Sequence, residues 1–221
     1  MADIDDDKER RERAYRLVGE LVDGIIAQAC ARHYFAPTQE HQFTSKIADR
    51  IEYELKDLQV FGMDLSVHAQ DFPDKGRGSW EAKSGGGLNI SIVVEAPREH
   101  INKGMMVQSK WDDTVGHSPK ALDDQTEKMK ARTRSSYVWV YGPSSIAVVP
   151  SEDVAMGKID LSCAMTVGNL ITEGMRCREG DPSIGRDLAL PVPQSLTAVM
   201  EQLSAKHGLS IQLSEPVEED G

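Results

Sequence analysis

The sequence predicts an α/β fold in which helices cover a mixed β-sheet, and two observations lead to that prediction. Apolar residues recur with helical periodicity near both ends of the chain. Between them, short runs rich in β-branched and aromatic residues are bounded by glycine and proline, as is typical of strands. Because helical and strand-like segments alternate, we expect them to pack in layers around one core.

The composition favours a globular protein of the cytoplasm. A chain of 221 residues, 39% hydrophobic and 28% charged, is expected to form mainly one domain. No apolar run approaches the roughly 18 residues of a membrane helix, and the charged N-terminus lacks a signal-peptide core. The cysteines are odd in number and widely spaced, which predicts reduced thiols rather than disulfides or a zinc site.

The net charge of −11 argues against a protein that binds nucleic acid with its whole surface. Much of this charge comes from acidic residues at the two ends: Asp3, Asp5, Asp6, Asp7, Glu215, Glu218, Glu219 and Asp220. The body between them is only mildly acidic and leaves room for a local basic strip, for which the candidates are Lys120, Lys128, Lys130, Arg132 and Arg134. The alternative interpretation, which we favour, is a solvated helix face.

Two helices are predicted at the start of the chain. Residues 8–34 carry an apolar stripe, which favours packing on the core, with pairing to a partner chain as the alternative. A second helix is predicted to start at the cap residue Thr38, with Glu40 in its first turn. The remaining predicted elements are a strand at 58–69, broken near Gly62; a loop from Asp71 to Gly78; helices at 119–134, 162–177 and 194–207, the last ended by Gly208; and strands at 137–141, 146–150 and 209–213.

The stretch from Gly85 to Trp111 is predicted to be the central element, an antiparallel strand pair joined by a long polar turn. The second strand ends in Gln108-Ser109-Lys110. Since side chains two residues apart share one face of a strand, Gln108 and Lys110 are expected to point the same way. A lysine amine beside an amide would form a small polar site on a rigid frame.

This hairpin resembles the core of the PD-(D/E)xK nucleases, which have the restriction-endonuclease-like fold. Members carry an aspartate at the start of one strand, and glutamate or glutamine, any residue, then lysine on the next. Here Gln108-Ser109-Lys110 matches the second motif, but Gly87 occupies the position of the aspartate. The resemblance covers about residues 38–150 and implies four parts: a tail and long helix (1–37), a nuclease-like core (38–150), an extension packed on that core (151–214) and an acidic tail (215–221).

The resemblance also implies a site. In this family carboxylates hold Mg²⁺, or Mn²⁺, and the lysine positions the attacking water or stabilises the transition state. If the family roles are transferred to this sequence, Lys110 and Gln108 would be catalytic, and Gln108 would also occupy a metal-binding position. Glu40 would be the glutamate of the first helix, with Glu52 as the alternative. Glu81, shortly before the turn, would be a further catalytic and metal-binding carboxylate.

Gly87 departs from the family pattern in a way that matters for activity. Glycine has no side-chain oxygen, and a neutral glutamine is a poor Mg²⁺ ligand. Three explanations are open: an introduced substitution, a naturally inactive family member, or transfer of the metal-binding role to Glu81. We favour one of the first two.

The leading functional hypothesis is therefore a metal-dependent DNA endonuclease, of the kind used in antiviral defence or by mobile elements, which is inactive if Gly87 abolishes metal binding. The alternative is a non-catalytic nuclease-fold scaffold that oligomerises, or binds a partner protein, through residues 8–34. Each site residue also has a structural interpretation: Lys110 as an edge lysine, Gln108 as a buried amide whose hydrogen bonds are satisfied, and Glu40 as a charge in the first turn of a helix.

Overall fold

The structure, a computed structural model, describes residues 2–35, 39–72, 87–113 and 119–216, and it confirms a mixed α/β fold with a long N-terminal helix. The helices are α1 (Ala2–His33), α2 (Glu40–Leu55), α3 (Pro119–Lys130), α4 (Ser151–Ala155), α5 (Val167–Met175) and α6 (Val192–Leu203). The strands are β1 (Leu58–Val60), β2 (Met63–Asp71), β3 (Leu88–Ala96), β4 (Glu99–Trp111), β5 (Ser136–Tyr141), β6 (Ile146–Pro150), β7 (Met165–Thr166) and β8 (His207–Ser214).

All eight strands form one sheet in the order β1-β2-β8-β3-β4-β5-β6-β7. Its main apolar core lies between the sheet and helices α1, α2 and α5, while two smaller clusters lie under α3, α4 and α6. β3 is apolar and buried along nearly its whole length because helices cover both of its faces. Within the described ranges, no helix has both the length and the apolar character that a membrane span requires.

The central hairpin is confirmed, although its turn is shorter than predicted. β3 and β4 pair antiparallel from Leu88–Val107 to Ala96–Glu99, so only Pro97 and Arg98 connect them. Residues 99–104, which the sequence placed in a polar turn, continue the strand instead. Strand pairing satisfies their backbone groups, so the polar sequence does not end the strand.

β8 lies in the middle of the sheet, between β2 and β3. Its Ile211 is the neighbour of both Val67 in β2 and Ile92 in β3, antiparallel to the former and parallel to the latter. The predicted division into a core ending at residue 150 and an extension packed on it therefore does not describe this sheet. The last strand of the chain completes the core.

The end of α6 also differs from the prediction. The helix stops at Leu203, and Ser204 takes the left-handed conformation at its C-cap with φ 55°. Gly208 does not end a helix but lies in β8. A Cβ atom there would lie 2.6 Å from the Met200 sulfur, so glycine is required where α6 packs closely on the strand.

The apolar stripe of α1 packs inside the protein, as the sequence favoured. Its buried residues, among them Val18, Val22 and Ile26, belong to the main core. The helix crosses α5 at two glycines, and a Cβ atom on Gly168 would collide with the carbonyl oxygen of Gly19. The stripe is thus covered by the chain itself, and a partner binding to α1 would contact the polar side of the helix.

Candidate functional site

An ion pair connects the end of β4 to the first turn of α2. The Lys110 ammonium nitrogen lies 3.0 Å from Oε2 of Glu40, and the two side chains are 19% and 24% exposed. The backbone N–H of Trp111 donates to Oε1 of Glu40 at 3.4 Å. Both oxygens of the Glu40 carboxylate are therefore engaged with β4.

Gln108 and Gly87 lie at the same end of the sheet, on neighbouring strands. Gly87 directly precedes Leu88, the partner of Val107, and its N–H donates to the Val107 carbonyl at 2.9 Å. Gln108 is fully buried, and its Nε2 donates to the Ser109 carbonyl at 3.2 Å. The structure thus pairs Glu40 with Lys110 and places Gln108 and the Gly87 backbone at the same end of the sheet.

The other two candidate carboxylates are Glu81 and Glu52. Glu81 falls outside the described residues. Glu52 lies about 18 Å from Glu40 along the axis of α2, twelve residues further on. It lies 3.2 Å from Nδ1 of His68 instead, so the alternative assignment of the helix glutamate to Glu52 is wrong.

Buried hydrogen bonds hold the first turns of α2 against the sheet. The Thr44 hydroxyl donates to the Glu40 carbonyl at 2.9 Å and lies 3.0 Å from the Ser109 hydroxyl and 2.6 Å from the Tyr141 hydroxyl. Burial raises the pKa of Tyr141, so its hydroxyl stays neutral. The Phe43 ring stacks on Trp111 with centroids 5.3 Å apart. These contacts fix Glu40 beside Lys110.

The described residues do not fit a magnesium ion. Mg²⁺ prefers several oxygen ligands in an octahedral arrangement. Gly87 offers no side-chain oxygen, Gln108 is neutral, and Glu40 is paired with a cation. Within the described ranges, no group of three His, Cys, Asp or Glu side chains is arranged to hold a metal ion.

One polar cluster at this end of the sheet was not predicted from the sequence. Nδ1 of His207, at the start of β8, lies 2.6 Å from Oδ1 of Asp71, at the end of β2. The Ser45 hydroxyl of α2 donates to Oδ2 at 2.6 Å. The hydrogen bond from His207 is the main cause that lowers the pKa of Asp71. The sequence placed His207 in a helix and Asp71 in a loop, so nothing in their spacing indicated contact.

Comparisons with known proteins add no assignment: no family model, curated protein or solved structure matches this chain.

Proposed function

We propose that the chain is a nuclease-fold protein that binds DNA at the end of the sheet where Lys110, Gln108 and Glu40 meet, and that it does not cleave the bound strand. The PD-(D/E)xK resemblance supplies the fold family and the substrate class. The observation that carries the proposal is that Gly87 and Lys110, the two positions taken from the family pattern, lie on neighbouring strands at the same end of the sheet. Gly87 immediately precedes β3 and donates to the Val107 carbonyl of β4, and Lys110 follows three residues later in β4.

Exposed cations on a neighbouring element, α3, support a role in phosphate binding. Lys110 is partly exposed, and Lys128, Arg132 and Arg134 are exposed at the end of α3 and just after it. Arg132 donates to the carbonyl of Gln202 at 3.0 Å, which places the end of α3 near the segment that leads into β8. Positively charged groups of this kind bind the DNA backbone without reading its sequence.

The proposed loss of cleavage follows from the small number of metal-binding carboxylates among the described residues. Phosphodiester hydrolysis in this family depends on carboxylates that hold a metal ion, and the described residues do not supply that set. Lys110 alone supplies charge but no means of activating water. Binding without hydrolysis is therefore the activity that these side chains support best.

The proposal is tested by fluorescence anisotropy with duplex DNA. We expect the wild-type protein to bind with a salt-dependent affinity, and Lys110→Gln to weaken binding and reduce the salt slope by about one. The matched control is Lys158→Gln, since Lys158 is an exposed lysine after α4 and takes no part in the Lys110–Glu40 ion pair. Equal DNA affinity of the wild-type protein and Lys110→Gln would contradict the proposal.

A further inference from the structure

A cavity opens beside the first two turns of α2, next to the residue that pairs with Lys110. Its volume is about 410 Å³, and its walls come from α2, the end of β2 and the start of β8. The lining residues are His41, Gln42, Ser45, Lys46, Asp71, Lys206 and His207. Every one of these side chains is polar, so the cavity is suited to a polar ligand.

His207 is the buried part of this wall, and one of its ring nitrogens has no hydrogen-bond partner among the described residues. The side chain is only 3% exposed. The lowered pKa of Asp71 keeps that carboxylate ionised, and a carboxylate only accepts hydrogen bonds, so Nδ1 of His207 carries the proton. Among the described residues, Nε2 has no hydrogen-bond partner. In this tautomer Nε2 is a hydrogen-bond acceptor, and a buried acceptor without a partner gains free energy when a ligand hydroxyl donates to it.

The charges around the cavity favour an anion. Lys46 and Lys206 contribute two ammonium groups to the lining. Among the described lining residues Asp71 is the only carboxylate, and both of its oxygens already accept hydrogen bonds, from His207 and Ser45. Asp49, one turn further along α2, is not part of the lining. Two lysines disfavour a metal cation but match the oxygens of a phosphate group.

We propose that this cavity binds a phosphate group, with Lys46 and Lys206 neutralising its charge and Nε2 of His207 accepting a hydrogen bond from a protonated phosphate oxygen. The inference goes beyond the proposed DNA site and does not require it. The two sites are neighbours, because the backbone N–H groups of Lys206 and His207 donate to the Gly87 carbonyl at 3.1 and 2.9 Å. The phosphate could therefore belong to a DNA end or to a free phosphate compound.

The test is a titration with inorganic phosphate, followed by NMR of the histidine ring signals and by calorimetry. Two variants remove one ligand group each. His207→Asn keeps a donor near the position of Nδ1 for Asp71 but lacks Nε2, and Lys46→Gln removes an exposed charge without disturbing the core. We expect saturable shifts of the His207 signals in the wild-type protein and a loss of affinity on the order of tenfold in each variant. Lys158→Gln should bind like the wild-type protein.

Absence of saturable phosphate binding by the folded wild-type protein would overturn the inference, as would unchanged affinity in Lys46→Gln and His207→Asn. Duplexes with and without a 5′-phosphate then identify the source. Tighter binding of the phosphorylated duplex, lost in Lys46→Gln, assigns the site to DNA ends, whereas equal binding of both duplexes assigns it to free phosphate. Phosphate binding that persists in Lys110→Gln, or in a protein that does not bind DNA, supports this site independently of the proposed function.

Discussion

The ammonium group of Lys110 lies 3.0 Å from the carboxylate of Glu40, so the one lysine that matches the nuclease pattern is held by an acidic partner. A DNA phosphate that binds Lys110 must compete with this carboxylate or share the lysine with it. The ion pair therefore stabilises the contact between α2 and β4 while it reduces the positive charge available to a ligand.

Glu40→Gln separates these two effects. We expect tighter DNA binding, because Lys110 loses its anionic partner, together with a loss of about 1 kcal/mol in the free energy of unfolding. DNA anisotropy and urea unfolding measure the two quantities. Weaker DNA binding in a folded Glu40→Gln variant would show that Glu40 supports the ligand directly rather than competing with it.

Thr44 is expected to be important for the stability of the site. Thr44→Val keeps the volume but removes the hydroxyl that contacts both Ser109 and Tyr141, leaving these buried groups with fewer hydrogen bonds. We predict a loss of about 1–3 kcal/mol in the free energy of unfolding, measured by urea denaturation. As a control, Thr44→Val in a Tyr141→Phe background should lower the free energy of unfolding by less. The Tyr141 hydroxyl, which would otherwise lose its partner, is then absent. Equal costs in both backgrounds would show that the two hydroxyls are not coupled.

The local elements of this fold could be predicted from sequence, because their signals are local. The β-branched run from Leu88 to Val94 and the motif Gln108-Ser109-Lys110 identified the central hairpin, and the apolar spacing in α1 identified a core helix. The pairing between Lys110 and Glu40 is different in kind. Lys110 and Glu40 are 70 residues apart in sequence, so their contact depends on how α2 packs across the sheet. Only the family resemblance suggested that these two residues belong to one site.

The position of β8 could not be predicted for the same reason. Nothing in the sequence 207–214 indicates that it inserts between β2 and β3, since strand order is set by long-range packing rather than by local propensity. Missing this insertion also hid the contact between His207 and Asp71. Gly208 gave a misleading signal, because a glycine after an amphipathic stretch is typical of a helix end, whereas here it is needed for close packing against Met200.

The packing of α1 is tested by two glycine substitutions in one helix pair. Gly168→Ala should destabilise the protein by several kcal/mol or force α1 and α5 apart, since its Cβ atom would meet the Gly19 backbone. Gly24→Ala, where no atom lies within 4 Å of the new Cβ, should be neutral or stabilise the helix by up to about 1 kcal/mol.

Thermal unfolding and light scattering of both variants provide the readout. A tolerated Gly168→Ala would contradict the close crossing of α1 and α5. A change in oligomeric mass on Gly24→Ala, at an exposed position of α1, would instead support the hypothesis that this helix contacts a partner chain.

The Asp71–His207 pair predicts a specific response to acid. The pKa of Asp71 is lowered below its ordinary value of 3.8, chiefly by the hydrogen bond from His207. A carboxyl group with a lowered pKa stabilises the folded state at pH values above 3.8, and this contribution is lost as the pH falls through the folded-state pKa. Asp71→Asn should therefore be less stable than the wild-type protein at about pH 5, and the difference should shrink below about pH 4. The urea unfolding midpoints of both proteins across this pH range measure the stability difference. A difference that stays constant into strong acid would show that the ionised Asp71 carboxylate is not its source.

The central claim is that Gly87 leaves a nuclease-type site without its metal-binding carboxylate, and Gly87→Asp tests it most directly in a plasmid cleavage assay with Mg²⁺ or Mn²⁺. We predict that Gly87→Asp gains metal-dependent cleavage, that Gly87→Asn does not, and that adding Lys110→Gln to Gly87→Asp abolishes the gain. A folded Gly87→Asp protein that binds DNA yet remains inert with both metals would contradict the claim.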